Sequence, residues 1–506
     1  MHRSSSIAMT SSPTLVGLLL VSLCGACSHT DRMKPTLDAY TRGEYVKALE
    51  VYQPLLRDRE DSEKDRTLYD LEGGVIAMAA GDRAASMKLF EDAYSRMRPY
   101  LDEKAEVRIS AEAAAILTNQ SVIPYVGTTY DRIMESTYQA LNYYAAGEPS
   151  KAGVELRRAY AWQQDAVEKR SDEIKALQES AAQTARSNSF DPSSTLKDPA
   201  FNGALANANA TSLAMVGYTN FAIPYASWLE GVAGFASNQN SGIAQGKVAF
   251  DRVVGMLPES ARSMVAQDAK LAADALEGAA LPPLVMAVYE TGRGPSLTEF
   301  KIQIPLFIRQ VPYVGAAFPV LTMHPAYSAG FTLDAEGGTS VAAVLLTDMD
   351  AVVAEEFNLK LPAIITKTII SSGIKATATF FAQNAAGKQN SDAAIFMALA
   401  GAIYQVATNS ADLRIWNTLP KRVLYARMER PVSGRVTLLG ADGVRIGPIE
   451  CIPNGITLIH VRTPAPGVPA ASQTIHIPYP NWVAPSTSAD AGNSSRAQPA
   501  TALIPH

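Results

Sequence analysis

From Pro35 to about Ser260 apolar residues recur at helical spacing among good helix formers. Three stretches overlay. Gly43, Ala48, Tyr52 and Leu55 stand at offsets 0, 5, 9 and 12, and so do Gly81, Ser86, Phe90 and Ala93, and Gly147, Ala152, Leu156 and Ala159. The pattern places a glycine at a helix–helix turn, a small residue where two helices touch, and larger apolar residues on the same face. Gly74 and Ala140 supply a small residue seven places before the second and third glycines. A degenerate pair is expected at 100–125 and a further one over Tyr225–Val254, with an insertion near Asn238–Gly242. The helix from Glu155 should run on through the charged part of Ser171–Ser189. Residues 188–211 read as a mobile polar loop.

The period changes at Pro282. Leu284–Tyr289 is a strand, Gly292-Arg293-Gly294-Pro295 a turn, and Phe300–Ile304 alternates as the strand that returns beside it. Short apolar runs follow at Pro319–Leu321, Gly330–Leu333 and Val341–Leu346. Residues 351–407 read as a helical hairpin, one helix opening at Leu361-Pro362 and a second over Ala393–Ala407. Strands resume at Arg422–Arg430, Arg435–Leu439, Gly443–Ile446 and Gly455–Arg462, with Gly440–Gly443 as a hairpin turn. Beyond Pro464 the abundance of Pro, Ala, Ser and Thr predicts disorder.

The N-terminus carries Arg3, a short apolar run over Leu15–Val21, and Leu23-Cys24-Gly25-Ala26-Cys27. A charged start, an apolar core too short to span a bilayer and small residues before the cysteine describe a secretory signal. Cysteine where cleavage is expected resembles a bacterial lipoprotein box. That resemblance implies removal of residues 1–26, lipid on Cys27 and, with Ser28 next, the outer membrane facing the periplasm. A plain signal peptide cut after Ala26 is the alternative. The processed chain keeps Cys27 and Cys451, so no disulfide forms once Cys27 is lipidated; Cys451 reads as a buried, inert thiol. A net charge of −5 implies no nucleic-acid partner.

The glycine–small–large spacing resembles the tetratricopeptide repeat, whose period is about 34 residues. Tyr289-Glu290-Thr291-Gly292-Arg293-Gly294-Pro295, Thr347-Asp348-Met349-Asp350 and Ala411-Asp412-Leu413-Arg414-Ile415-Trp416-Asn417-Thr418-Leu419-Pro420 resemble motifs of a family of bacterial tetratricopeptide-repeat lipoproteins. The resemblance covers most of the mature chain and implies no established catalytic function. Its members are often encoded near small lipoproteins similar to activators of penicillin-binding proteins, which implies a role in envelope biogenesis.

Chemistry is sparse. The six histidines show no metal-ligand spacing, and neither a His-Glu-x-x-His, a Gly-x-Ser-x-Gly nor a phosphate loop occurs. Ser372–Lys375 and Ser194–Lys197 fit Ser-x-x-Lys, without the companion motifs of penicillin-recognising enzymes. No catalytic residue, metal or cofactor is expected. Glu290, Gly292, Gly294, Pro295, Asp348, Asp350, Asp412, Arg414 and Trp416 are candidate interaction or structural residues. Asp348 and Asp350 suit a cation or, better, the positive end of a helix. Arg414 suits pairing with Asp412 or stacking on Trp416.

The expected fold is α+β and multidomain. Residues 1–26 are a signal peptide and 27–34 a lipidated tether. A repeat-type α-solenoid follows over 35–280, a mixed α/β domain over 281–464 and a disordered tail over 465–506. The expected function is that of a lipid-anchored, non-enzymatic scaffold or accessory factor that engages envelope proteins. An enzyme acting on envelope polymer and a secretion or assembly accessory are the alternatives. A groove lined by Tyr143, Tyr144, Tyr160 and Trp162 would favour partner binding; clustered Asp, Glu, Ser or His in a C-terminal cleft would favour an enzyme.

Overall fold

A computed structural model describes residues 29–57, 63–99, 123–237, 239–309, 311–387 and 410–480. Cys27 and its leader, most of the pair expected at 100–125, the apolar stretch 393–407 and the segment from 481 lie outside the described residues.

The first half is helical. Antiparallel pairs form from α1 (His29–Thr41) with α2 (Tyr45–Arg57), α3 (Arg66–Ala79) with α4 (Arg83–Met97), α5 (Thr129–Ala145) with α6 (Pro149–Ser187), and α10 (Pro224–Ser237) with α11 (Asn240–Met256). Between α6 and α10 lie the short α7 (Ser193–Leu196), α8 (Pro199–Ala208) and α9 (Ala210–Leu213), and α12 (Glu259–Leu276) closes the series. The turns explain the spacing. Gly43, Gly81 and Gly147 have φ of +75°, +83° and +75°, a left-handed conformation that costs other residues about 1–2 kcal/mol. Asp82 caps α4 by accepting the Ala85 N–H, and Thr128 and Asp131 form a capping box on α5. Gly74 is small because a Cβ there would stand 2.5 Å from the Phe90 ring; Gly231 repeats this against Phe250 at 2.4 Å.

The second half is sheet, with one long helix. Its strands are β1 (Leu284–Thr291), β2 (Ser296–Ile308), β3 (Val311–Thr322), β4 (Phe331–Ala335), β5 (Ser340–Ala342), β6 (Val344–Asp348), β7 (Arg422–Glu429), β8 (Arg435–Gly440), β9 (Arg445–Glu450), β10 (Ile456–Thr463) and β11 (Ala471–Ile477). They make a five-stranded sheet ordered β11-β10-β1-β7-β6, a four-stranded sheet β5-β4-β8-β9 and the ribbon β2-β3. α13 (Met349–Gly387) follows β6. Helices cover one face of the five-stranded sheet, where Tyr425 meets Trp228, and the four-stranded sheet covers the other, where Tyr289 meets Phe331. β1 and β10 are therefore buried along their whole length. One apolar core runs from Met33 in α1 through the helices to Tyr479 beyond β11.

Several expectations change. β1 does not pair with the strand after the glycine turn: it takes β10 in parallel and β7 antiparallel, and β2 pairs with β3. β1 needs neighbours that stay apolar when covered on both faces; β2 carries Glu299, Lys301 and Gln303. Of the supposed tether, residues 29–34 lie in α1, with His29 and Met33 buried in the fold. The loop over 188–211 is ordered: it forms α7 to α9, and its Phe201 packs on Phe318. Leu361-Pro362 does not open a helix, because α13 runs through it with Pro362 on an exposed side. Disorder does not begin at 465, since β11 pairs with β10 over seven positions and buries Ile475 and Ile477.

Candidate functional site at the seam of helices and sheet

Glu290, one residue before the end of β1, lies on the helix-facing side and is 1% exposed. The Tyr138 hydroxyl of α5 donates to its Oε2 at 3.0 Å, and His460 Nε2 of β10 lies 3.0 Å from its Oε1. With the Gln473 amide donating to His460 Nδ1 at 3.3 Å, the ring proton belongs on Nε2, toward Glu290. Arg462, opposite Glu290 in the ladder, places Nε 3.8 Å from Oε2. Its terminal nitrogens donate to the carbonyls of Gly292 and Thr463 at 2.6 and 3.1 Å, and of Thr418 at 3.1 Å. Arg462 thus ties the ends of β1 and β10 to the segment before β7.

The glycines of the first motif serve this crossing. Gly292 has φ +71°, and a Cβ there would meet Tyr327 Cβ at 2.7 Å. Gly294 N–H donates to the Leu419 carbonyl at 2.8 Å, and Pro295 leads into β2.

The Asp412–Pro420 segment is clamped from the helical side. Arg414 bonds Asp412 at 2.9 and 2.7 Å, Asp65 at 3.1 Å and the Ile123 carbonyl at 2.7 Å. It stands over the Tyr125 ring at 5.7 Å, so pairing decides its position and Trp416 is not its stacking partner. Its carboxylate partners hold the guanidinium above its ordinary pKa despite burial. Trp416 is buried between Phe90 and Tyr138 and donates to the Thr418 hydroxyl at 2.8 Å. Glu72 of α3 accepts the backbone N–H of Asn417 at 2.7 Å and of Thr418 at 3.0 Å. Burial pushes the Glu72 carboxyl up to about 7, against the lowering effect of these bonds.

Asp348 accepts the Ala351 N–H at 3.4 Å, at the start of α13, and lies 3.3 Å from Arg422. Asp350 forms a buried pair with Lys421, and desolvation raises it to about 6. Among the described residues no cluster of His, Cys, Asp and Glu is arranged to hold a metal ion. Ser372 and Lys375 are buried in α13 and do not line the cavity beside Glu290. Burial raises the Cys451 thiol to about 11, away from reactivity.

Two groups of expected residues part company. Glu290, Gly292, Gly294 and Pro295 converge with Asp412, Arg414 and Trp416 on one seam, with Asp350 joined to it through Lys421. The tyrosine–tryptophan groove does not form: Tyr144 and Trp162 are buried, Tyr143 faces Lys151 and Tyr160 faces Arg252. A cavity of about 240 Å³ opens instead above Glu290, lined by Arg83, Tyr138, Asn142, His460, Arg462 and Gln473 among others. His460, Arg462, Tyr138 and Gln473 at the cavity, and Glu72 elsewhere on the seam, were not expected. The usable signal was polarity inside apolar runs, Glu72 within Leu68–Ile76 and His460 and Arg462 within Ile456–Thr463.

No family model, curated protein or solved structure matches the chain.

Proposed function

We propose that this chain is a cell-envelope protein, lipid-anchored at Cys27, that acts as a non-enzymatic scaffold through tetratricopeptide-like helix pairs. One observation carries the reading. The motif charges are engaged within the chain, in contacts that join helices to sheet: Glu72 with Asn417 and Thr418, Arg414 with Asp65, Glu290 with Tyr138. Groups spent in this way make one rigid body and leave its outer surfaces for partners. The turn glycines and the Gly74–Phe90 contact support the repeat reading. With α1 starting at His29, an anchored body would sit close to the bilayer.

Crosslinking in cells followed by mass spectrometry tests this, with envelope proteins as the expected capture. Recovery of none would sink the scaffold. The Glu290–His460 pair beside an open cavity favours a second reading, an enzyme acting on envelope polymer. Clearing of peptidoglycan by the purified protein, lost in Glu290→Gln, would establish it in place of the first.

A further inference from the structure

β11 is an outer strand of the five-stranded sheet. Among the described residues no backbone group pairs with its outer edge over 472–477. The edge carries no guard in its own sequence, although α5 packs against β11. Its seven residues, Ala-Ser-Gln-Thr-Ile-His-Ile, hold no lysine, proline or acidic residue, and its ladder to β10 runs without a register shift. The other sheet edges carry the usual protections. β6 has a register shift and ends on Asp348, β5 is three residues long, and β9 contains Arg445, Pro448 and Glu450. β2 lies against α7 and α8, and β3 against α13.

The cavity above Glu290 opens beside this edge, with Ala471, Ser472 and Gln473 in its wall. Gln473 lies opposite His460 in the ladder and shares its face. A strand laid along β11 would send every second side chain to that face, toward the cavity mouth. Glu290 at the floor is already engaged by Tyr138 and His460. At the rim Arg83 is exposed, with no ion-pair partner among the described residues. The mouth therefore suits an acidic side chain.

We infer that β11 is a docking edge for an extended polypeptide partner, one acidic side chain of which enters the cavity beside Arg83. Main-chain bonds to β11 give the hold, and Arg83 with Gln473 gives the selectivity. The partner's place in the envelope rests on the scaffold reading; the edge and its preference do not.

The test uses the full-length protein in detergent and an end-blocked, fluorescent nonapeptide of alternating threonine and valine with a central glutamate. A lysine-centred peptide and a proline-interrupted one are the controls. The glutamate peptide should bind at least about tenfold tighter than the lysine peptide, a difference of about 1.4 kcal/mol. It should slow amide exchange within 472–477, and the proline peptide should do neither. Arg83→Glu should reverse the preference; an acidic residue in the first turn of α4 suits that helix end. Unchanged exchange in β11, or the same preference in Arg83→Glu, overturns the inference. Envelope crosslinks obtained without peptide binding would leave the scaffold standing and the docking edge lost. Peptide binding without envelope crosslinks would do the reverse.

Discussion

Glu72 reaches across 345 residues of sequence to Asn417, accepting its backbone and side-chain amides at 2.7 and 3.2 Å. A carboxylate on the third helix thereby fixes the segment that enters the central sheet. The same seam holds Arg414 to Asp65 and Glu290 to Tyr138. Helices and sheet are in this account one folding unit, and the sequence motifs are its joint.

Glu72→Ala should be among the most damaging single changes. It strands the Asn417 and Thr418 N–H groups in a buried site, at about 1–3 kcal/mol each. Urea unfolding should show a loss of about 2–5 kcal/mol; a loss under about 1 kcal/mol would deny the clamp its weight.

Glu72 also gives a pH signature. Burial raises its carboxyl to about 7 in the fold, from an ordinary value of 4.5 when unfolded. The folded state then binds the proton more tightly, so this group's contribution is full below pH 4.5 and is lost as pH rises through about 7. Glu72→Gln lacks the titration. Its Tm relative to the parent should therefore improve from pH 5 to pH 8. A flat or opposite trend would show that the carboxyl is not raised.

Arg414→Lys keeps the charge but loses the fork that spans Asp412 and Asp65. A loss of about 2–4 kcal/mol is expected, because the aspartates keep a cation but lose their geometry. Arg414→Met with Asp65→Ala should cost less than the sum of the single changes, and additivity would contradict direct coupling.

Glycines at the two kinds of position should differ. Gly74→Ala puts a methyl into the Phe90 ring and should cost about 1–3 kcal/mol, largely relieved by Phe90→Leu. Gly81→Ala meets nothing within 4 Å and should cost only the left-handed backbone, about 1–2 kcal/mol, with no relief from Phe90→Leu.

Much of the order along the chain was legible, because turn glycines and helical spacing are local. The glycine offsets located three helix turns, alternation located part of β2, and apolar runs between turn residues located β1 and the strands from β7 to β10. Pairing was not legible. The return strand after Gly292 was expected beside β1, whereas β1 takes β10 from 165 or more residues away, a choice made by burial on both faces. β11 was missed because its small polar residues read as tail, although Ile475 and Ile477 alternate inward. Of the residues that meet at the seam, the sequence motifs named Glu290, Asp412, Arg414 and Trp416 but not their partners. Glu72 and Arg462 become visible only when a charge inside an apolar run is read as one that must have a partner.

The contacts of Glu72, Arg414 and Glu290 should make helices and sheet one cooperative body. Scanning calorimetry of the full-length protein measures this directly. One transition is predicted for the parent, moved to lower temperature but still single in Glu72→Ala. Two separable transitions in the parent, with Glu72→Ala leaving both in place, would contradict it.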